Sequence, residues 1–184
     1  MCSLRKIGDL LFREALQQPF ATRDSFPTDW ESRNQEGLVV EFASPSGDKW
    51  IGNFKPGGGG IDGVRLHPNG VEVLVMTAGS VWSADPFSRN AIELAGSVDG
   101  TWPVNDPEGL IFSLQGLAFL RLGPSGILWR TRQISWDGFR HIELSEHALA
   151  GEAWSATDDS WIPFGVNLDT GVVTGGSYPE SAAR

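Results

Sequence analysis

Two acidic side chains in matching short motifs are the first candidates for chemistry in this sequence. Asp62 opens the motif "DGVR", Asp137 opens "DGFR", and Glu152 follows the second motif closely. Two carboxylates on either side of a cleft can act as acid and base in glycoside hydrolysis. Each aspartate also precedes a glycine, however, which is common turn chemistry. The turn role is the favoured interpretation, and a carboxylate-dependent hydrolase using Asp62, Asp137 and Glu152 is the alternative.

A run of four glycines, in "KPGGGGIDG", raises the question of a phosphate-binding loop. Such a loop normally precedes a helix and is followed by a lysine and a hydroxyl at fixed spacing. Here the only nearby lysine, Lys55, precedes the glycines, and the residues after them are typical of a strand. The three histidines, His67, His141 and His147, match no zinc motif. We therefore expect neither a cofactor nor a metal ion.

Tryptophan and arginine residues offer a different kind of site, one that binds without reacting. The sequence has eight tryptophans and one tyrosine, and Trp102 lies in the turn-rich stretch "DGTWPVNDPEG", where exposed contact residues are common. A second group combines basic and aromatic side chains suited to a protein interface or an anionic ligand: Arg130, Arg132, Arg140, Trp129 and Trp136. The alternative for that group is a solvated strand face paired with acids. Flat rings on a β surface also admit a carbohydrate-binding module.

The distribution of charge limits the partners. The formal charge is −9, and all of it belongs to the residues from Glu36 onward, which include nine basic and eighteen acidic side chains. A negative body repels nucleic-acid backbones and anionic membranes and attracts basic proteins. Solubility alone is the simpler explanation of the acidity. The single cysteine, Cys2, and the lack of an apolar run near the ~20 residues that span a bilayer predict a cytoplasmic protein.

Short apolar runs separated by turn residues predict the elements that position these groups. From Gly37 onward the pattern indicates an all-β, mostly antiparallel fold, either a sandwich or a barrel-like arrangement. Two hairpins are marked by "VRLHPNGVEVLV" and "FGVNLDTGVVTGG", each with a glycine suited to a tight turn. Near the start, Leu4, Ile7, Leu10, Leu11 and Ala15 recur at helical spacing, which predicts one amphipathic helix. The predicted organisation is therefore a helix and connecting loop over residues 1–36, followed by a β domain over 37–184.

Three motifs return in the same order along the chain and predict an internal pseudo-repeat of residues 45–86 in 124–159. "PSGDKW" returns as "PSGILW", "DGVR" as "DGFR" and "AGSVWSA" as "AGEAWSA". Convergent use of turn residues is the alternative explanation. The repeat matches Trp50 with Trp129 and Trp82 with Trp154, which indicates packing positions. When the two copies are aligned on these motifs, the glycine run is an insertion in the first copy. We expect that shortening the run would leave the fold intact.

Together these features predict a protein that binds rather than catalyses. The favoured function is that of a small acidic protein acting through protein–protein contacts, of the inhibitor or immunity type, with a basic protein as partner. The carboxylate hydrolase and the carbohydrate-binding β module are the two alternatives. Neither the oligomeric state nor the identity of the partner follows from the sequence.

Overall fold

The structure, a computed structural model, describes residues 5–7, 10–14, 23–26, 37–43, 49–105 and 108–179. These residues form seventeen strands and no helix. Every strand pairing is antiparallel except that of β3 with β5, which is parallel. The all-β, mostly antiparallel class predicted from the sequence is confirmed for the described residues. None of them belongs to a helix long and apolar enough to cross a membrane.

The chain divides into two compact units, Met1–Ser97 and Val98–Arg184. The first unit holds two sheets. Sheet A has the strand order β1-β2-β4-β5-β3, with β1 at Arg5–Ile7, β2 at Leu10–Glu14, β3 at Arg23–Phe26, β4 at Leu38–Ala43 and β5 at Lys49–Phe54. Sheet B follows the chain order, with β6 at Gly63–Leu66, β7 at Val73–Thr77, β8 at Ser80–Asp85 and β9 at Asn90–Ala95.

The second unit also holds two sheets, and both follow the chain order. Sheet C contains β10 at Val98–Asn105, β11 at Glu108–Leu114, β12 at Ala118–Gly123 and β13 at Gly126–Arg130. Sheet D contains β14 at Phe139–Leu144, β15 at Ala148–Ser155, β16 at Ser160–Asn167 and β17 at Val173–Gly175. Each sheet is a meander whose neighbouring strands are joined by short connections, as the sequence pattern of closely spaced turns implies.

The amino-terminal amphipathic helix is not seen in the described residues. Within the predicted segment the structure describes Arg5–Ile7 and Leu10–Glu14, and both are strands. There β2 pairs with β4 through the backbone. The remainder of the predicted helix and its loop lies outside the described residues.

The core of the first unit draws on both of its sheets. Sheet A contributes mainly aromatic side chains, and sheet B contributes Val73, Val75, Trp82 and Ala84. Trp50 stacks on Phe42 at 4.2 Å between ring centroids. Its indole N–H donates to the Pro86 carbonyl at 2.8 Å, which satisfies the one polar atom that this ring buries.

The core of the second unit is centred on Phe119, which is fully buried on β12. Its ring stacks on Phe139 of β14 at 4.5 Å and on Phe164 of β16 at 5.7 Å, so it joins sheet C to sheet D. Trp129 of β13 is also buried in this core, and its indole N–H donates to the Leu168 carbonyl at 2.6 Å. Burial of such aromatic area supplies much of the free energy that holds two sheets together.

Both predicted hairpins are present. In the first, β6 and β7 are joined by residues 67–72, where the Asn69 side-chain carbonyl accepts the backbone N–H groups of Val71 and Glu72. In the second, β16 and β17 are joined through a turn in which Gly171 has a φ of 70°. A Cβ at Gly171 would lie 2.8 Å from Cγ of Trp129. Both the positive φ and the lack of room for a Cβ therefore require glycine at this position.

The matched motifs of the pseudo-repeat agree only in part with the positions of the strands. "DGVR" and "DGFR" each lead into the first strand of a sheet, β6 and β14, whereas the last pair of motifs falls on strands that are not equivalent. Trp82 lies on the third strand of sheet B and Trp154 on the second strand of sheet D. Trp50, Trp82 and Trp129 are buried, as expected of packing positions, whereas Trp154 is only half-buried. The duplication itself stays a prediction.

The glycine run is held against the turn between β7 and β8. Gly57 donates its backbone N–H to the Thr77 carbonyl at 3.0 Å, and Gly59 donates to the Ala78 carbonyl at 2.7 Å. A Cβ at Gly57 would lie 2.5 Å from the backbone nitrogen of Ser80. These two amides are engaged within the fold, which fits a strand connection better than a phosphate-binding loop.

Two substitutions in this run separate its anchored part from its open part. We expect Gly57→Ala to destabilise the protein by about 1–3 kcal/mol, because the methyl group collides with backbone. A Cβ at Gly60 meets no atom within 4 Å, so Gly60→Ala should be neutral or stabilising by up to about 1 kcal/mol. Urea unfolding of both variants measures the difference, and equal stabilities would contradict the anchored loop.

Candidate functional site

The outer face of sheet D, meaning the face turned away from the Phe119 core, carries the candidate site. Side chains alternate across a strand. On β15, Leu149 and Ala153 are buried in the core, which turns Glu152 and Trp154 outward. On β16, Phe164 and Val166 are buried, and by the same alternation Trp161 and Pro163 lie on the outer face. The outer face therefore carries two tryptophans on neighbouring strands.

A β-bulge in the edge strand β14 adds two further side chains to this face. Phe139 and Ile142 both pack against the core although they are three residues apart, and the pairing with β15 shifts between Arg140 and Glu143. The extra residue is His141, whose φ of 51° is unusual for a residue other than glycine. Arg140 and His141 are consequently both exposed, on the side opposite the core.

Glu152 binds both of these side chains through one oxygen. Its Oε2 accepts from Nε of Arg140 at 2.7 Å and lies 2.9 Å from Nδ1 of His141. The Arg140 guanidinium also lies over the ring of Trp161, with Cζ 4.6 Å from the ring centroid. The result is a cluster of a cation, an anion and an aromatic ring on an open sheet face.

Trp161 has Trp154 as its direct partner across the strands. Their ring centroids are 5.2 Å apart, with an angle of 60° between the ring planes, an edge-to-face contact. The turn that joins their strands contains Asp158 and Asp159, which are exposed. Two tryptophans thus flank an acidic turn in the sequence "WSATDDSW".

The hydrogen bonds that Glu152 accepts lower its pKa. The hydrogen bond from Arg140 contributes most and that from His141 next, and both favour the charged carboxylate. A carboxyl group with a lowered pKa is a poor proton donor near neutral pH, so this environment is unsuited to the general acid of a hydrolase.

The five predicted binding residues lie in different environments. Trp102 packs against the core of the second unit, edge-on to Phe119 at 6.0 Å, and so caps a core edge. Arg132 donates to the backbone carbonyls of Gln133, Gly175 and Tyr178, a role in holding loops together.

Three of the five are exposed. Trp136 is 39% exposed, with its ring 4.8 Å from that of Tyr178, and Arg130 is exposed on the edge strand of sheet C. Of the five predicted binding residues, Arg140 is the one that the structure places in the cluster on the outer face, where it meets Glu152. Trp129, considered both for this patch and as a packing position, is buried in the core.

The three predicted carboxylates have different local contacts. Asp62 belongs to the first unit, where its Oδ1 accepts the backbone N–H of Ala78 at 2.8 Å, a turn contact. Asp137 is exposed in the second unit, and Glu152 is committed to Arg140 and His141. In the described part of the chain, no three His, Cys, Asp or Glu side chains are grouped to hold a metal ion.

His67, considered earlier as a metal ligand, is a buried turn residue. Its Nδ1 accepts the backbone N–H of Asn69 at 3.0 Å. Burial lowers the pKa of the imidazole, against an opposing contribution from Glu72.

Trp154, Trp161 and His141 were not predicted as members of a site. The sequence did contain a signal of the bulge. Phe139 and Ile142 are both apolar and three positions apart, and two such residues cannot lie on the same face of a strand unless the strand has a bulge. Nothing in the sequence distinguished Trp154 from its buried counterpart Trp82.

Neither a protein-family model nor a curated protein sequence matches the chain.

The lowered pKa of Glu152 gives a direct test of the cluster. We expect its carboxyl pKa to lie below the ordinary value of 4.5, and to rise toward that value in Arg140→Ala, because the main hydrogen bond is lost. Stability from the pair is present at neutral pH and is lost as the pH falls through the native pKa. Carbon-detected NMR titration measures the shift, and Arg130→Ala, which removes an exposed arginine from sheet C, is the control. An unchanged Glu152 pKa in Arg140→Ala would contradict the pairing.

The bulge predicts how position 141 responds to substitution. His141→Val should be less stable than His141→Gly by about 1–2 kcal/mol, because a β-branched residue strongly resists a positive φ. Both variants lose the imidazole, so the comparison isolates the backbone effect. Urea unfolding of the two variants measures it; a more stable valine variant would mean that β14 has no bulge in solution.

Proposed function

We propose that this chain is a non-enzymatic binding protein that contacts a basic protein partner through the outer face of sheet D. The observation that carries the proposal is the cluster on that face, where two tryptophans and an arginine–glutamate pair stand beside exposed carboxylates. Tryptophan and arginine are enriched among the residues that dominate binding energy in protein interfaces.

Charge supports a basic partner. Residues 98–184 include eleven acidic and five basic side chains, a formal charge of −6 out of the total −9. Three of the five basic groups are engaged by the protein itself: Arg121 is buried and donates to the Leu168 carbonyl, Arg132 binds backbone carbonyls, and Arg140 pairs with Glu152. Around the tryptophans, Asp137, Asp158 and Asp159 are exposed. Such a surface attracts cationic groups and repels anions.

The two alternatives receive less support from the geometry. A carboxylate hydrolase needs a proton donor beside a second carboxylate, whereas Asp62 and Glu152 are each engaged in contacts that fit structural roles. A flat sugar-binding platform needs coplanar rings, and Trp154 and Trp161 are inclined by 60°. The inhibitor or immunity type is the form of binding protein that we favour, and the cytoplasm is the compartment that the single cysteine favours.

Binding of short charged peptides tests this function. We expect peptides rich in lysine and arginine to bind, an acidic peptide of equal length not to bind, and affinity to fall by roughly tenfold or more between low and high salt. Asp137→Asn combined with Asp159→Asn should weaken binding, because two carboxylates near the tryptophans are neutralised. Isothermal titration calorimetry provides the affinities.

A matched double variant removes the same charge elsewhere in the second unit. Asp99→Asn with Glu108→Gln neutralises two exposed carboxylates of sheet C and should weaken binding less. Equal losses in the two double variants would show attraction by net charge alone, and no binding of basic peptides would end the proposal. A response to a glycan panel in place of the peptides would favour the carbohydrate alternative.

A further inference from the structure

We infer that the outer face of sheet D recognises an arginine side chain of its partner, which stacks on Trp154. This inference rests on the proposed function and adds the chemical group that is recognised and the ring that receives it. It starts from the contact that the protein already makes on the neighbouring ring, where the Arg140 guanidinium covers Trp161 and pairs with Glu152.

Trp154 is the unoccupied counterpart of Trp161. The described residues place no cation over its ring and no acceptor at its indole N–H, whereas the indoles of Trp50, Trp82 and Trp129 all donate to backbone carbonyls. Trp154 is half-buried, so part of its surface faces solvent. An aromatic ring left open beside one already covered by a guanidinium offers a second place for the same interaction.

The residue beside Trp154 on the side of β14 is a glycine, Gly138, which has no side chain to place over the ring. The backbone N–H of Trp154 donates to the carbonyl of Gly138, which therefore stands beside it in place of a residue with a side chain. A Cβ at Gly138 would meet no atom within 4 Å. Trp154 is thus bordered by Trp161 on one side and, on the other, by a glycine that adds no side chain.

Carboxylates near the ring provide the counter-charge. Asp137 precedes Gly138 and is exposed, and Asp159 is exposed in the turn that follows Trp154. Neither carboxylate has a side-chain partner among the described residues, unlike Glu152 and Asp158, which accept hydrogen bonds. Arginine fits this arrangement better than lysine, because its planar guanidinium stacks on an aromatic ring while donating to carboxylates, and it is more weakly hydrated.

Two peptides of equal length and charge, one built on arginine and one on lysine, test the inference by calorimetry. The native protein should bind the arginine peptide more tightly. Trp154→Leu should weaken that peptide roughly three- to thirty-fold and abolish the preference, because stacking on the ring is lost. Trp154→Phe keeps a ring and should retain part of the preference. Phe87→Leu, which changes an aromatic side chain 57% exposed in a hairpin of sheet B, is the control and should change neither affinity.

A second measurement uses the native protein and so does not depend on the folding of any variant. In a proton–nitrogen NMR spectrum, the Trp154 indole signal should shift on addition of the arginine peptide, while the signal of buried Trp129 should stay in place. Basic peptides that bind without an arginine preference, or without moving the Trp154 signal, overturn this inference and leave the proposed function standing. Failure of both peptides to bind overturns both.

Discussion

The position of Phe119 between two sheets is the constraint on which the second unit depends. Its stacking on Phe139 and Phe164 fixes which face of sheet D turns inward. Because side chains alternate along a strand, that choice also determines what faces outward, and shifting the register of β15 or β16 by one residue would bury a tryptophan and expose the core. The packing of the core therefore determines which side chains form the outer cluster. The bulge at His141 is the one departure from alternation that the cluster needs, since it turns two adjacent side chains of β14 toward Glu152.

Sequence reasoning succeeded where the signals were local. The all-β class followed from short apolar runs, and both hairpins followed from turn residues whose conformational preference does not depend on distant partners. The amino-terminal helix was predicted from a local spacing as well, and most of that segment lies outside the described residues; within it, β2 pairs with β4, a partner more than twenty residues away along the chain. The hydrogen bonds of Trp129 and Arg132 depend on similarly distant groups, the carbonyls of Leu168 and Tyr178, which no local pattern could indicate. For the site, the sequence supplied Arg140 and Glu152 as separate candidates, and only the pairing of β14 with β15 joins them.

Five of the described tryptophans fall into two groups that differ in whether the indole N–H donates to a backbone carbonyl. Trp50, Trp82 and Trp129 bury both ring and N–H, and each donates to a backbone carbonyl far along the chain, so the ring and its polar atom both contribute to the core. Trp154 and Trp161 instead pack against each other on an outer face. The core and the proposed contact surface therefore use the same residue type, which explains why composition alone could not separate buried tryptophans from those of the outer face.

The contact between Trp129 and the turn at Gly171 has a consequence for the order of folding. Trp129 donates to Leu168 and lies against Gly171, so a strand of sheet C is completed by residues about forty positions later. Contacts between residues so distant along the chain form slowly compared with the local pairing of a meander. During synthesis, sheets B and C can begin to pair as their strands emerge, whereas the core of the second unit must wait for the hairpin of β16 and β17. Until that hairpin forms, Phe164 does not cover Phe119. The aromatic surface left exposed is the part of the chain to which a chaperone or an aggregating chain would bind first.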